Sequence, residues 1–135
     1  MIKIRPPVRG DDNYGSGYYG APRGDHKHRG LDFVAMKGAG VESVGDGTVT
    51  KLGYCYNDDL SYRYVEITSM GGYVGRYLYV EPGVDLGVGV KRGDLIGEVQ
   101  DIALRYPGIT PHFHFEVRLK GVVIPPIQYF RRFEA

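Results

Sequence analysis

From Leu31 to Ile124 the chain alternates short apolar runs with glycine-bearing turns, the pattern of an all-β protein. Arg63–Thr68 sets Tyr64, Glu66 and Thr68 against Val65 and Ile67, the period of two expected of a half-buried strand. Leu31–Val34, Gly75–Val80 and Leu95–Val99 read as further strands. Val41–Val44 and Thr48–Leu52 read as a pair joined through Gly45-Asp46-Gly47. Phe113–Leu119 and Val122–Ile124 read as a hairpin across Lys120-Gly121. Helix is confined to one turn within Asp101–Tyr106, before Pro107, and a short C-terminal segment, Ile127–Phe133. Neither is long enough to be stable without packing. The first 27 residues show no strand or helix period, and Tyr14, Tyr18 and Tyr19 argue for a loop packed on the domain.

Composition narrows this picture. The 135 residues contain no repeat, linker or shift of composition, so one domain spanning residues 1–135 is expected. The 21 glycines, about twice the usual share, and 8 prolines reinforce the turn-rich β reading. A net charge of +1 gives no general attraction to nucleic acid or a membrane surface, so neither is an expected partner. No run approaches the roughly 20 apolar residues of a membrane span. Met-Ile-Lys-Ile-Arg-Pro-Pro at the start lacks the apolar core of a secretory signal, so a soluble cytoplasmic product is expected. Cys55 is the only cysteine, which excludes an intrachain disulfide and a cysteine-built zinc site and leaves a buried thiol as its expected state.

The chemistry gathers at the histidines, of which there are four. His28 stands four residues before Asp32 in His-Arg-Gly-Leu-Asp, with Gly30 free to bend between them. His112 and His114 alternate in Pro-His-Phe-His-Phe-Glu-Val, so on a strand both face one side while Phe113, Phe115 and Val117 face a core. Two imidazoles and one carboxylate suit zinc, and three protein ligands leave a fourth position for water, the arrangement of a hydrolytic site. Zinc brings the pKa of such a water to about 7, and the remaining histidine can shuttle its proton. Spacing leaves open which of His112 and His114 ligates. Singly, a histidine is commonly a surface or satisfied core residue, and Asp32 a turn or cap residue; the signal lies in the set. His26, beside Lys27, reads as solvent-facing, with approach to the site as the alternative. Arg23, Arg29, Lys37 and Arg118 read as surface charge, with contact to substrate carboxylates as the alternative.

With their flanks, these motifs resemble the lysostaphin/LytM-type zinc metallopeptidases, which cut peptide bonds of bacterial peptidoglycan. The resemblance covers roughly Gly24 to Pro125. It rests on His28-Arg-Gly-Leu-Asp32-Phe, Gly38-Ala-Gly-Val-Glu-Ser-Val-Gly-Asp-Gly-Thr-Val-Thr, Val90-Lys-Arg-Gly-Asp-Leu-Ile-Gly and Thr110-Pro-His112-Phe-His114-Phe-Glu-Val. It implies a small antiparallel β-sheet fold with a groove between loops. It also implies one zinc ion held by His28, Asp32 and His114, with His112 as catalytic base. One departure stands out: where the family commonly carries a histidine in Tyr-X-His-Leu, this chain has Tyr77-Leu-Tyr79-Val80. A phenol stays protonated at neutral pH, so Tyr79 is expected to act catalytically as a donor to the oxyanion of the tetrahedral intermediate. The alternative is a non-catalytic domain that binds the wall or a regulatory partner; a barrel-like carrier ranks last. The resemblance further suggests a monomeric phage endolysin cutting the D-alanyl to diaminopimelate cross-link. Such an enzyme would stay in the host cytoplasm until lysis and then act from the periplasm, or travel with the virion.

Overall fold

The computed structural model describes Arg9, Gly17, residues 19–20, 22–23 and 26–133, with the side chains of 22–23, 26–27 and 132–133 excepted. Where no regular element is expected from sequence, β1 (Pro22–Arg23) and β2 (His26–Lys27) pair as a minimal antiparallel ladder. Next come β3 (Leu31–Val34), β4 (Gly40–Glu42), β5 (Gly47–Tyr54), β6 (Arg63–Ser69) and β7 (Tyr73–Leu78). The chain continues through β8 (Val80–Pro82), β9 (Gly89–Val90), β10 (Leu95–Val99), β11 (His112–Leu119) and β12 (Val122–Ile124). It closes on α1, Pro126–Phe133. The main antiparallel sheet runs β12-β11-β7-β6-β5-β9, with β3 also on β11, and a smaller sheet runs β4-β10-β8.

The period of two decides which face of the main sheet is covered. Val65, Ile67, Tyr77, Phe113, Phe115 and Val117 point into the core. There they meet Val41, Val80 and Ile96 of the smaller sheet and Tyr129 and Phe130 of α1. Packing of this apolar face is what sustains an eight-residue helix too short to stand alone. The opposite face carries His112, His114 and Glu116. The β11–β12 turn is as expected, with Lys120 and Gly121 both at positive φ, 52° and 81°, as a tight hairpin requires.

Two expectations are corrected. Val41–Val44 and Thr48–Leu52 do not form a hairpin: β4 pairs with β10, and β5 with β6 and β9. Residues 43–46 instead form a corner between sheets, where the Ser43 N–H donates to the Asp94 carbonyl and the Val44 N–H to the Tyr77 hydroxyl, each at 2.8 Å. The strand expected over Gly75–Val80 is broken at Tyr79, whose φ of 67° ends β7 and lets β8 cross to the smaller sheet. Such a backbone is costly for a bulky residue. It is held by the Tyr79 N–H donating to the Arg63 carbonyl and by the Gln100 N–H donating to the Tyr79 carbonyl, both at 2.9 Å. The one helical turn expected within Asp101–Tyr106 is present, as a 3₁₀ turn over Ile102–Leu104.

Of the N-terminal tyrosines, Tyr14 and Tyr18 lie outside the described residues, and Tyr19 is exposed. Arg9 and Gly17 are buried alongside β3: the Arg9 N–H donates to the Asp32 carbonyl at 2.6 Å, and the Asp32 N–H to the Gly17 carbonyl at 2.8 Å. The Cys55 thiol is partly buried and donates to the Arg63 carbonyl at 3.2 Å; burial pushes it up to about 11, which favours the protonated thiol at neutral pH. Among the described residues, no helix is long and apolar enough to cross a membrane.

Candidate metal centre and its groove

Strand register builds the site. In the β3–β11 ladder Asp32 lies directly opposite His114, and His28 enters from the loop just ahead of β3. His28 Nε2 lies 3.0 Å from His114 Nδ1 and 3.2 Å from Asp32 Oδ1, and the last two are 2.8 Å apart. All three residues are buried. Gly30 is needed here for space rather than for a bend: a Cβ on it would collide with the Phe115 carbonyl oxygen and lie 2.9 Å from the His114 ring. Its lack of a side chain lets the segment from His28 to Asp32 lie flat against β11.

Asp32 divides its oxygens. Oδ1 faces His28 and His114, while Oδ2 accepts from Arg9 Nε at 3.1 Å and Nη2 at 3.0 Å and stands 3.6 Å from His112 Nε2. Burial alone would raise the Asp32 carboxyl, but hydrogen bonds with His114 and His28 and the charges of His114 and His112 outweigh it, holding it well below the usual carboxylate range. His114 Nε2 contacts Glu116 Oε1 at 3.0 Å, a partner that holds a proton on Nε2, so that Nδ1 is the nitrogen that would give up its proton and turn a lone pair to a cation. Burial would lower His114, but its bonds to Asp32 and Glu116 prevail and push it up to about 9. The triangle therefore draws positive charge to itself.

This donor set fits a divalent cation of the zinc type. A tetrahedral centre with arms of about 2.0–2.2 Å holds its ligand atoms roughly 3.3–3.6 Å apart, close to the 2.8–3.2 Å separations here. His28, Asp32 and His114 are thus a group that could hold a metal ion. His112 sits beside the triangle. Its Nδ1 lies 2.7 Å from the Thr110 carbonyl, an acceptor, so Nδ1 carries the hydrogen and Nε2 keeps its lone pair toward the site. Burial lowers the His112 pKa, against a smaller opposing pull from Asp32, so the ring is neutral near pH 7.

A groove of about 440 Å³ opens over these residues. One wall is aromatic. Tyr79 meets the His112 ring edge-on with centroids 5.7 Å apart, and its hydroxyl lies 3.2 Å from that of Tyr56, which in turn is 3.1 Å from that of Tyr106. Burial is the main cause raising the Tyr79 phenol well above its ordinary value, so it remains a donor.

The five site residues expected from sequence, His28, Asp32, Tyr79, His112 and His114, all line this groove. Arg29 lines it too and is solvent-exposed. Lys37 is an exposed partner of Asp101 at 3.8 Å, and Arg118 is tied to Glu116 at 3.4 Å. The side chains of Arg23 and His26 lie outside the described residues. Sequence reasoning missed Arg9, Glu116, Tyr56 and Tyr106. Glu116 had a signal, since it continues the period of two through His112 and His114. Arg9 had none, because a remote backbone pairing brings it in, and the two tyrosines arrive on loops without a period.

Comparison with known proteins adds relatives to this geometry. Residues 26–126 match peptidase family M23. Myeloid protein 1 of Gallus gallus is 29% identical over 113 residues, 81% of this chain and 34% of that protein. Peptidoglycan DD-endopeptidase ShyC of Vibrio cholerae is 34% identical over 96 residues, 70% of this chain and 21% of that protein. The chain therefore spans about a third and a fifth of these two relatives. Lysostaphin from Staphylococcus simulans superposes with a TM-score of 0.70 at 19% identity, over 98% of this chain and 56% of that one. The catalytic domain of prophage-encoded M23 protein EnpA from Enterococcus faecalis gives 0.65 at 20% identity, over 92% and 96%. A zinc-containing peptidase from Vibrio cholerae gives 0.62 at 26% identity, over 90% and 39%. The nearly all-β fold is that of the lysostaphin/LytM-type domains.

Proposed function

The chain belongs to peptidase family M23, and from that premise we propose that it is a zinc-dependent endopeptidase acting on the peptide cross-links of bacterial peptidoglycan. The observation that carries this reading is the buried triangle of His28 Nε2, Asp32 Oδ1 and His114 Nδ1, with His112 beside it. His28, Asp32 and His114 would hold the ion. Zinc, when bound, supplies Lewis acidity toward the scissile carbonyl and lowers the pKa of water. His112 Nε2, neutral and oriented by the Thr110 carbonyl, accepts the proton of the attacking water and returns it to the leaving amine. The Tyr79 hydroxyl donates to the oxyanion that develops on the substrate carbonyl. Arg9 neutralises the second oxygen of Asp32, and Glu116 holds the His114 ring in place.

The substrate class is supported by the likeness to a peptidoglycan DD-endopeptidase, and within it the D-alanyl to diaminopimelate bond is the proposed target. A phage lytic role is part of the same proposal, supported by a structural neighbour that is prophage-encoded. In it a monomer would wait in the host cytoplasm and reach the wall at lysis, or be carried by the virion. Tyr79 favours a second reading, a non-catalytic wall-binding or regulatory domain, because a phenol stands where the resemblance leads one to expect an imidazole.

Metal analysis combined with mass analysis of fragments released from purified walls tests the proposal. One zinc per chain and chelator-sensitive release of peptides cut at the cross-link are expected. Fully zinc-loaded protein that binds walls of several chemistries yet releases nothing would establish the second reading instead.

A further inference from the structure

The hydroxyls behind Tyr79 form a line with a direction. Arg105 Nε donates to the Tyr106 hydroxyl at 3.4 Å, and the Tyr56 hydroxyl donates to that of Tyr79 at 3.2 Å. Between them, Tyr106 and Tyr56 touch at 3.1 Å. A phenol has one hydrogen. That of Tyr56 is committed to Tyr79, so the middle contact uses the hydrogen of Tyr106. Every hydrogen then points the same way, from Arg105 through Tyr106 and Tyr56 to Tyr79. The Tyr79 hydrogen is left uncommitted within the line, at the groove beside His112.

We propose that Arg105, Tyr106 and Tyr56 are positioning residues that orient and strengthen Tyr79 as the donor to the substrate oxyanion. The direction of the line decides the sign of the effect. Were the hydrogens reversed, Tyr79 would spend its own hydrogen on Tyr56 and present lone pairs to a developing negative charge. As arranged, each bond polarises the next, so the terminal O–H is a better donor than an isolated phenol. The guanidinium of Arg105 also lies over the Tyr56 ring, 3.6 Å from its centre, and draws electron density from that phenol. Arg105 is steadied in turn by Asp58 at 3.3 Å and Asp59 at 3.9 Å. The line replaces what an imidazolium would bring to this position: a hydrogen aimed at the groove with positive charge behind it.

The inference rests on the role of Tyr79 in the proposed peptidase, and a double-mutant cycle tests it. Tyr56→Phe keeps the ring and removes the hydroxyl. In the zinc-loaded protein it should lower kcat about 3–10-fold with KM unchanged, and Tyr106→Phe should do so by a smaller factor. The same losses should appear in affinity for a phosphinic peptide, an anionic mimic of the tetrahedral intermediate, and not for the matching amide peptide. In Tyr79→Phe the further change Tyr56→Phe should have no effect, because the line then has nothing to act on. Losses that multiply in the double variant, or that fall equally on the amide and the phosphinic peptide, would overturn the proposal. The phosphinic measurements decide it even if the wild type releases nothing from walls, so failure of the peptidase reading remains a separate outcome. Tyr106→Phe provides the same cycle should Tyr56→Phe fail to fold.

Discussion

The donor triangle and the tyrosine wall face each other across one groove, yet they are built by different means. His28, Asp32 and His114 are set by antiparallel register between β3 and β11, where one residue of slip would turn every side chain to the other face. Tyr56 and Tyr106 come from outside the strands, and Tyr79 from a strand break at positive φ. The triangle is therefore a buried set of donors fixed by strand pairing, and the wall is a set of loop phenols held by hydroxyl contacts. In the proposed enzyme a division of labour follows: the triangle would hold the cation, and the wall would meet charge that exists only during reaction.

That division can be broken most severely at His114. His114→Ala should abolish stoichiometric zinc and take activity down by far more than the roughly 10–100-fold that loss of an outer partner costs. Metal analysis and wall digestion would show it, and zinc retained at full occupancy would mean that the triangle is not the binding site. Tyr79→Phe should act on the other side alone, lowering kcat about 10²–10³-fold while zinc content and melting temperature stay near wild type. Loss of zinc together with turnover would show that wall and triangle are one unit.

The smallest effect concerns pH in the metal-free protein. His114 is raised to about 9 from its ordinary 6.5, so its contribution is complete below pH 6.5 and is lost as pH rises toward 9. Urea unfolding should register that loss as roughly 2–4 kcal/mol, whereas zinc-loaded protein should be flat over this range. The wall should respond only later. The Tyr56 and Tyr79 phenols are raised by burial above 10, so their contribution is intact below pH 10 and falls beyond it. A metal-free protein equally stable at pH 6 and pH 9 would remove the shared positive charge from the account of the triangle.

The shared face of the two late histidines was legible in the sequence because it follows strand periodicity, whereas the choice of His114 to join His28 and Asp32 came from the family resemblance. His112 and His114 share a face by the period of two, and Phe113 and Phe115 mark the buried side. The β4–β10 pairing was not legible, since Val41 and Val49 carry the same apolar signal whichever sheet receives them. The break at Tyr79 was hidden as well: β-branched and aromatic neighbours make Gly75–Val80 look continuous, and the backbone bonds from Gln100 and to Arg63 that hold the turn come from elsewhere in the chain.

Local order along the chain thus determined the β class, the inward and outward faces of β11, and which side chains were chemically able to hold a metal. Tertiary structure decided the rest. It chose the partner of each strand, brought Arg9 against Asp32 across 23 residues and aligned Tyr106, Tyr56 and Tyr79 into one line. The physical reason is that periodicity fixes where a side chain points relative to its own backbone. Convergence depends on which distant backbones pair, and on carboxylates and hydroxyls finding partners once water has been excluded.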